Sequence, residues 1–550
     1  MNTAELLYAG IVRFVFPLLA LGFIALNLKC IFHNLKRKTL AKFATESYLD
    51  IIEIKSSECM IGRGAFCDVK LKDSLAAKRH ALVCLTEYGF KITPTSEENR
   101  VYINGRLVEG EGYLNSGDKI TIAGTTLQIA INPDIAGSSA ISDDSLKTCR
   151  LASLFLLTAF QILAFGALLI GEVVSPLFCA ISFLGIIATE WIYIPIRGFR
   201  SNVGVELTAF FLTSVGFCMC ANVGEDALFK QTIMFFVGFI GFIFLSLLLK
   251  KQSIVESLRI PVMVIAVLLF LANIFLGVYV NGAKNWIALG PVTFQPSEFI
   301  KVALVFVSAC ALDKMLQLKN LITFLGFTFI CLLSLAIIRD FGTAIVYFTA
   351  LIIILCLRLC DVKFIALLCG SAALCAFIAI KLFPYISQRF ETYGKAWEYA
   401  SAEGYQQAQT MMSAASGGLF GLGLGNGSLS NVSAADTDLV FGMIAEEMGL
   451  IFALLAVICF ALFTIYSGIL ITRTGSIYYA ITASAASGIF IIQAILNIFG
   501  SVDLLPLTGV TLPFISNGGS SMIASWLLLS FIKASGSQLV KIDKSGGGIK

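Results

Sequence analysis

The chain has 550 residues, of which 57% are hydrophobic and 13% charged, with a net charge of +4. Soluble domains carry an apolar share of about 45–50%, so this composition marks a membrane protein, and the slight positive charge gives no reason to expect nucleic acid. Only two histidines occur, His33 and His80, which excludes a Ser-His-Asp unit, a Cys-His unit or a His-rich metal centre in the membrane part and leaves carboxylates, Lys, Arg or a carboxylate-held metal for chemistry there.

A helix crossing hydrocarbon needs about 20 largely apolar residues, and the chain offers about thirteen such segments. The first, about 6–28, is followed by Lys29, Lys36, Arg37, Lys38 and Lys42 and has no cleavage site of small residues. It reads as a retained anchor within residues 1–35, with its N-terminus outside. Residues 47–132 are polar, with short alternating stretches such as Asp68 to Leu71, Ala81 to Leu85 and Lys119 to Ile129; Asn104-Gly105 between Val101 and Leu107 is a type I′ hairpin signal. This is a compact all-β domain, joined by a linker over 133–149 to an extra pair of spans within 150–200. From 205 to 536 the remaining spans follow, including one read over 441–471, and a tail covers 537–550. The inside turns hold Arg197, then Lys250 and Lys251, then Lys319, then Lys363, so the positive-inside rule places the β domain in the cytoplasm and the stretch 383–440 outside the cell. Fifteen cysteines lie mostly in apolar runs, without disulfide or zinc spacing, and read as small packing residues.

The outer turns carry the chemistry. Glu298 and Lys301 are three residues apart at the start of a span and share a helix face, so they pair as a cap or line a cavity. Arg339 and Asp340 sit between two spans at the same level. The long loop holds Gly404 to Thr410, with Gln406, then the run Ala415 to Ser428, with Ser416, whose glycines either expose amides to a phosphate or allow close packing. Asp438 stands where water meets hydrocarbon, a place that raises a carboxylate's affinity for protons; its bland alternative is an N-cap for the next helix. Residues Leu505 to Ser521 are too broken by Pro and Gly for a lipid-facing helix and therefore point inward.

The stretches NWIALGPVTFQPSEFIK, RDFGTA, GYQQAQT, ASGGLFGLGLGNGS, TDLVFGMIAEEMG and LPLTGVTLPFISNGGSS, in this order, resemble the signature motifs of the SEDS (FtsW/RodA/SpoVE) family. That resemblance implies a polytopic α-helical membrane protein with a ten-span core. It also implies polymerisation of lipid II, the undecaprenyl-pyrophosphoryl disaccharide-peptide, into glycan strands at the outer face, alongside a class B penicillin-binding protein acting as transpeptidase. The family's essential aspartate falls on Asp438; Glu298, Lys301, Arg339, Asp340, Gln406 and Ser416 are the expected substrate-binding residues. The hypothesis for the chemistry is a proton taken from the acceptor sugar by Asp438, with charge on the departing pyrophosphate offset by Lys301, Arg339 or a carboxylate-bound Mg²⁺ or Mn²⁺, and no organic cofactor. Departures from the family pattern are Ser433-Ala434, Arg339 and Asn517. The β domain resembles an FHA sandwich through Gly62-Arg63, Lys78-Arg79-His80, Asn99, Asn104-Gly105 and Gly117-Asp118, with Ala77 and Arg100 departing from the pattern. It implies phosphothreonine recognition by Arg63, Lys78 and Asn99. A lipid II flippase and a non-catalytic scaffold are the competing expectations.

Overall fold

The computed structural model describes residues 3–34, 41–45, 51–54, 58–64, 67–86, 89–95, 99–131, 144–198, 203–280, 283–289, 292–312, 318–359, 362–382, 384–471 and 477–537. Most of the expected linker, through 143, and the tail from 538 lie outside these residues. Two compact units separate, a helical one built from Met1–Ile31, Asp144–Ser467 and Ile481–Ala534, and a second centred on Phe32–Asp143.

The second unit is a β-sandwich. One sheet has the order β2-β1-β11-β10-β7-β8 and the other β4-β3-β5-β6-β9, from β1 (Ala41–Thr45), β2 (Ile51–Ile54), β3 (Glu58–Gly62), β4 (Val69–Lys70), β5 (Ala81–Thr86), β6 (Gly89–Pro94), β7 (Val101–Ile103), β8 (Arg106–Leu107), β9 (Gly112–Leu114), β10 (Lys119–Ile122) and β11 (Thr125–Ile131). Alternation drives it: Phe43, Ile61, Val83, Ile92, Ile120 and Ile129 are fully buried in one core, while Lys42, Ala44, Lys119, Gln128 and Ala130 beside them are exposed. Asn104 (φ 50°) and Gly105 (φ 81°) make the expected tight turn between β7 and β8. The domain begins before residue 47. β1 pairs with both β2 and β11, and the basic residues around it hid its alternation.

The helical unit contains α1 (Thr3–Asn34), α2 (Asp144–Ile170), α3 (Pro176–Arg197), α4 (Gly204–Val223), α5 (Glu225–Leu248), α6 (Gln252–Leu276), α7 (Pro296–Leu312), α8 (Leu318–Ile337), α9 (Phe341–Leu359), α10 (Val362–Leu382), α15 (Leu450–Ile471), α16 (Ile477–Ser501) and α17 (Gly519–Ser537). Among the described residues, ten helices are long and apolar enough to cross a membrane unaided, and Phe341–Leu357 is a shorter apolar helix. The chain is thus a multi-pass membrane protein. Between α10 and α15 run α11 (Pro384–Thr392), α12 (Tyr405–Gly417), a 3₁₀ turn (Leu429–Asn431), α13 (Ala435–Asp438) and α14 (Val440–Glu447). Between α6 and α7 lies a small sheet of β12 (Val278–Val280), β13 (Ala283–Leu289) and β14 (Val292–Phe294). The single span expected over 441–471 is two helices, broken at Met448-Gly449, because Gly449 adopts φ 91° and lies against the Leu419 carbonyl.

α4 is buried from Gly204 to Ala221. Part of its cover is the α2–α3 pair, bound through a polar contact where Gln161 Nε2 donates to Glu190 Oε1 (2.5 Å) and to Ser214 Oγ (2.9 Å). α1 adds aromatic packing, Phe16 on Phe160 and Phe23 on Phe211. Buried polar groups inside an apolar bundle fix helix register because leaving one unpaired is costly. Glu206 of α4 pairs with Lys533 of α17 for the same reason.

Candidate active site

The short helix α13 brings Asp438 to one end of the bundle and is held there mainly by the broken segment 505–521. Asn517 N donates to the Asp436 carbonyl (2.9 Å) and its Nδ2 to Asp436 Oδ2 (2.8 Å). Ser516 Oγ donates to the Thr437 carbonyl (2.6 Å). Asn497 Nδ2 of α16 reaches the Val510 carbonyl (2.8 Å) and the Asp438 carbonyl (3.2 Å). All these bonds hold the backbone or Asp436, leaving the Asp438 carboxylate to face Gly509, where an added Cβ would lie 3.6 Å from Oδ2. Gly509 has φ 69°, so any other residue there would be strained. The segment does turn inward, as its Pro and Gly content predicts.

Asp438 keeps some exposed surface but is densely surrounded. Burial pushes its pKa up to about 6, opposed by the Thr437 hydroxyl and the Arg389 guanidinium, with Asp436 adding to the rise. The N-cap alternative does not hold: the cap position of α14 is Leu439, with no side-chain cap bond. Arg389 is a site residue that sequence reasoning missed. It belongs to α11, and its Nη1 donates to the Leu507 carbonyl (2.8 Å). That helix is tied to the segment after α16 by Tyr393 Oη to the Leu504 carbonyl (3.1 Å) and by Asp503, whose carboxylate accepts from Gly394 N (3.0 Å) and Ala396 N (2.9 Å). No local signal marked Arg389, because the carbonyl that it binds lies 118 residues away in the chain.

Glu298 and Lys301 do pair, Nζ to Oε2 at 2.5 Å, and Lys301 Nζ also reaches Gln493 Oε1 (3.2 Å). Gln493 and Asn497 are one turn apart on α16, so this pair forms the layer beneath Asp438. Both are buried, 4% and 1% exposed. Asp340 is likewise structural in its contacts: Oδ1 accepts Thr343 N (3.1 Å), capping α9, and Oδ2 accepts Gln295 Nε2 (3.3 Å) and Ser297 Oγ (3.5 Å). Arg339 is exposed in a left-handed conformation, φ 63°. Gln406 Nε2 donates to the Ser433 carbonyl (2.8 Å), joining α12 to the chain before α13. Ser416 spends its hydroxyl on the Ser413 carbonyl (2.7 Å) within its own helix.

Of the two uses open to the glycine run, the structure takes close packing. Leu422 N and Gly423 N donate to the carbonyls of Glu446 and Glu447 (2.9 Å each). Gly425 N donates to Glu447 Oε2 (3.2 Å), while Ser428 N and Leu429 N donate to Glu446 (3.0 Å each). Asn222 completes the set by donating to Glu447 Oε1. These amides are bound to the backbone carbonyls and buried carboxylates of Glu446 and Glu447, so they do not form a phosphate cradle.

Among the described residues, no group of three or more His, Cys, Asp and Glu is placed to hold a metal ion. Asp436 and Asp438 are two carboxylates at one place. Mg²⁺ is often held by one or two carboxylates completed by substrate phosphates, so they fit a partial ligand set.

In the β domain, the loops after β3 and β4 are fastened together, Arg63 N to the Ala77 carbonyl and Gly64 N to the Lys78 carbonyl, 2.9 Å each. Asn99 Nδ2 donates to Thr95 Oγ1 (2.7 Å), which donates to the Arg79 carbonyl (2.6 Å). Arg63, Lys78 and Arg79 are exposed at this edge, and His80 joins its loops through Ala77 N to Nδ1 (3.1 Å) and Nε2 to the Arg100 carbonyl (3.2 Å).

Residues 204–537 match the family of cell cycle proteins FtsW, RodA and SpoVE, and residues 59–123 match the FHA domain. The chain is 30% identical over 313 residues to the probable peptidoglycan glycosyltransferase FtsW of Bacillus subtilis (strain 168), covering 54% of this chain and 77% of that relative. It is 31% identical over 257 residues to the stage V sporulation protein E of the same organism, covering 45% and 69%. A solved chain from work on the structural coordination of polymerization and crosslinking by a peptidoglycan synthase complex shares the fold, with a TM-score of 0.52 at 22% identity, covering 61% of this chain and 98% of that one.

Proposed function

Because the chain belongs to the FtsW/RodA/SpoVE family of cell cycle proteins, we propose that it is a peptidoglycan glycosyltransferase that polymerises lipid II, with the Asp438 end of the bundle at the outer face of the bacterial plasma membrane and the FHA domain in the cytoplasm. The observation that carries this reading is a carboxylate, Asp438, held by its backbone, with its pKa raised to about 6 and a guanidinium, Arg389, beside it. Such a group works near neutral pH as a base. Asp438 takes the proton of the acceptor sugar hydroxyl as that oxygen bonds to the donor's anomeric carbon. The bond from that carbon to the pyrophosphate oxygen breaks, inverting the centre, and the lipid pyrophosphate leaves with the electron pair. Arg389 and the exposed Arg339 stabilise the developing charge, while the Glu298–Lys301 layer holds α16 and thus Asp438 in place. Asp436 and Asp438 would be the residues to hold a Mg²⁺ or Mn²⁺ ion, which would supply positive charge for the pyrophosphate.

The test is purified full-length protein with lipid II, with and without a class B penicillin-binding protein as transpeptidase partner, read for glycan polymer and for leaflet exchange. Polymer supports the reading; exchange alone rejects it. The rate should also report the base. Asp438 is active ionised, so the rate rises with pH through an inflection near 6 and falls about tenfold per unit well below it. An inflection near 4, the ordinary carboxylate range, would contradict the buried-base assignment.

For the FHA domain, Arg63, Lys78 and Arg79 suit a phosphothreonine protein as cytoplasmic partner. Charged hydrogen bonds to phosphate contribute about 1.5–3 kcal/mol, so Arg63→Ala should weaken a phosphothreonine peptide by about 10- to 100-fold in a titration of the full chain. Absence of binding by the native protein rejects this role.

A further inference from the structure

The α2–α3 pair lies outside the family-matched residues 204–537, yet its connecting turn reaches the glycine run. An added Cβ at Gly425 would fall 2.2 Å from Val173 Cγ2, so Val173 lies directly on the backbone of Gly425. Gly425 itself has φ 81° and gives its N–H to Glu447. The chain there is therefore clamped between a valine from the extra pair and a buried carboxylate from the core. The turn carrying Val173 is well fixed. Glu172 takes φ 51°, Val173 N donates to the Leu168 carbonyl (3.1 Å), and Ser175 N donates to Glu225 Oε1 at the start of α5 (2.8 Å). Deeper in the bundle, Gln161 and Glu190 lock the same two helices to Ser214 of α4. A second contact comes from α1, where Phe14 packs on Phe420 with ring centroids 4.7 Å apart.

We infer that the α2–α3 turn is a strut for the candidate active site, and that Val173 is a positioning residue: it holds Gly425, and with it the segment 421–431 that Glu446 and Glu447 tie to α14, the helix following Asp438. Hydrogen bonds and the buried side chains of Leu424 and Leu429 join this segment to the core, but amides of a glycine-rich chain are held loosely unless something bulky covers them. Val173 is that cover. The inference rests on the proposed glycosyl transfer only for its catalytic consequence.

The experiment compares full-length wild type with Val173→Ala, Val173→Thr and Ile192→Ala, the last an exposed position on α3. Hydrogen exchange across 423–429 is measured alongside lipid II polymerisation. Ala removes the methyls on Gly425, whereas Thr keeps the branched shape. Val173→Ala should speed exchange there by about tenfold and lower kcat by a similar factor with KM unchanged, while the Thr and Ile192 variants behave as wild type. Unchanged exchange in Val173→Ala overturns the strut, and faster exchange with undiminished turnover overturns the positioning role. Exchange is read without any reaction, so a wild type that makes no polymer would reject the proposed activity and leave the strut to be judged by the exchange result.

Discussion

Asp438→Asn is expected to lower lipid II polymerisation by about 10²- to 10⁴-fold, the usual contribution of a positioned general base, while protein yield and lipid II binding stay near wild type. The substitution keeps the shape of the side chain and removes only its basicity. Its surroundings make that separation clean: Asn497 bonds the Asp438 carbonyl, Ser516 bonds the neighbouring Thr437 carbonyl, and Asn517 bonds Asp436, so the fastening of α13 does not pass through the carboxylate. A structural role would show as lost expression or lost binding, in proportion to lost activity. Leaflet exchange of lipid II, measured on the same preparation, should be unaffected by the change. Substantial residual polymerisation would remove Asp438 from the mechanism.

How far the sequence revealed this arrangement depends on the range of the interactions involved. Spans were legible because each is a local run of apolar residues, and the sandwich was legible because its core residues alternate and Asn104-Gly105 marks a turn with left-handed backbone. The break between α14 and α15 was not legible. The stretch 441–471 is largely apolar, and the break comes where Gly449 lies against the backbone of Leu419 to Gly421, about thirty residues earlier in the chain. Glu446 and Glu447 looked like charges entering a membrane, yet their carboxylates are filled by amides of residues 425–429 and by Asn222, contacts that a linear reading cannot supply. For Lys301, spacing identified the partner Glu298 but not the depth. In the fold the pair is buried, and Lys301 also binds Gln493 of α16.

Arg389 follows from the same consideration of range, and its removal should be the other large effect. Its guanidinium is fixed to the Leu507 carbonyl and lowers the proton affinity that burial gives Asp438. In the proposed transfer this cation offsets charge on the leaving pyrophosphate, and loss of one such preorganised donor costs about 10²- to 10³-fold in kcat. Arg389→Ala should therefore reduce kcat by that order. It should also move the acidic limb of the pH profile above 6, because without the guanidinium Asp438 binds its proton more tightly and ionises at higher pH. Arg389→Lys retains a positive charge but not the planar fork, so it should return the acidic limb towards its wild-type position while recovering only part of kcat. The two readouts separate charge from geometry. A fall in kcat with an unmoved pH limb would place Arg389 away from Asp438, and an unchanged kcat would exclude it from the transfer step.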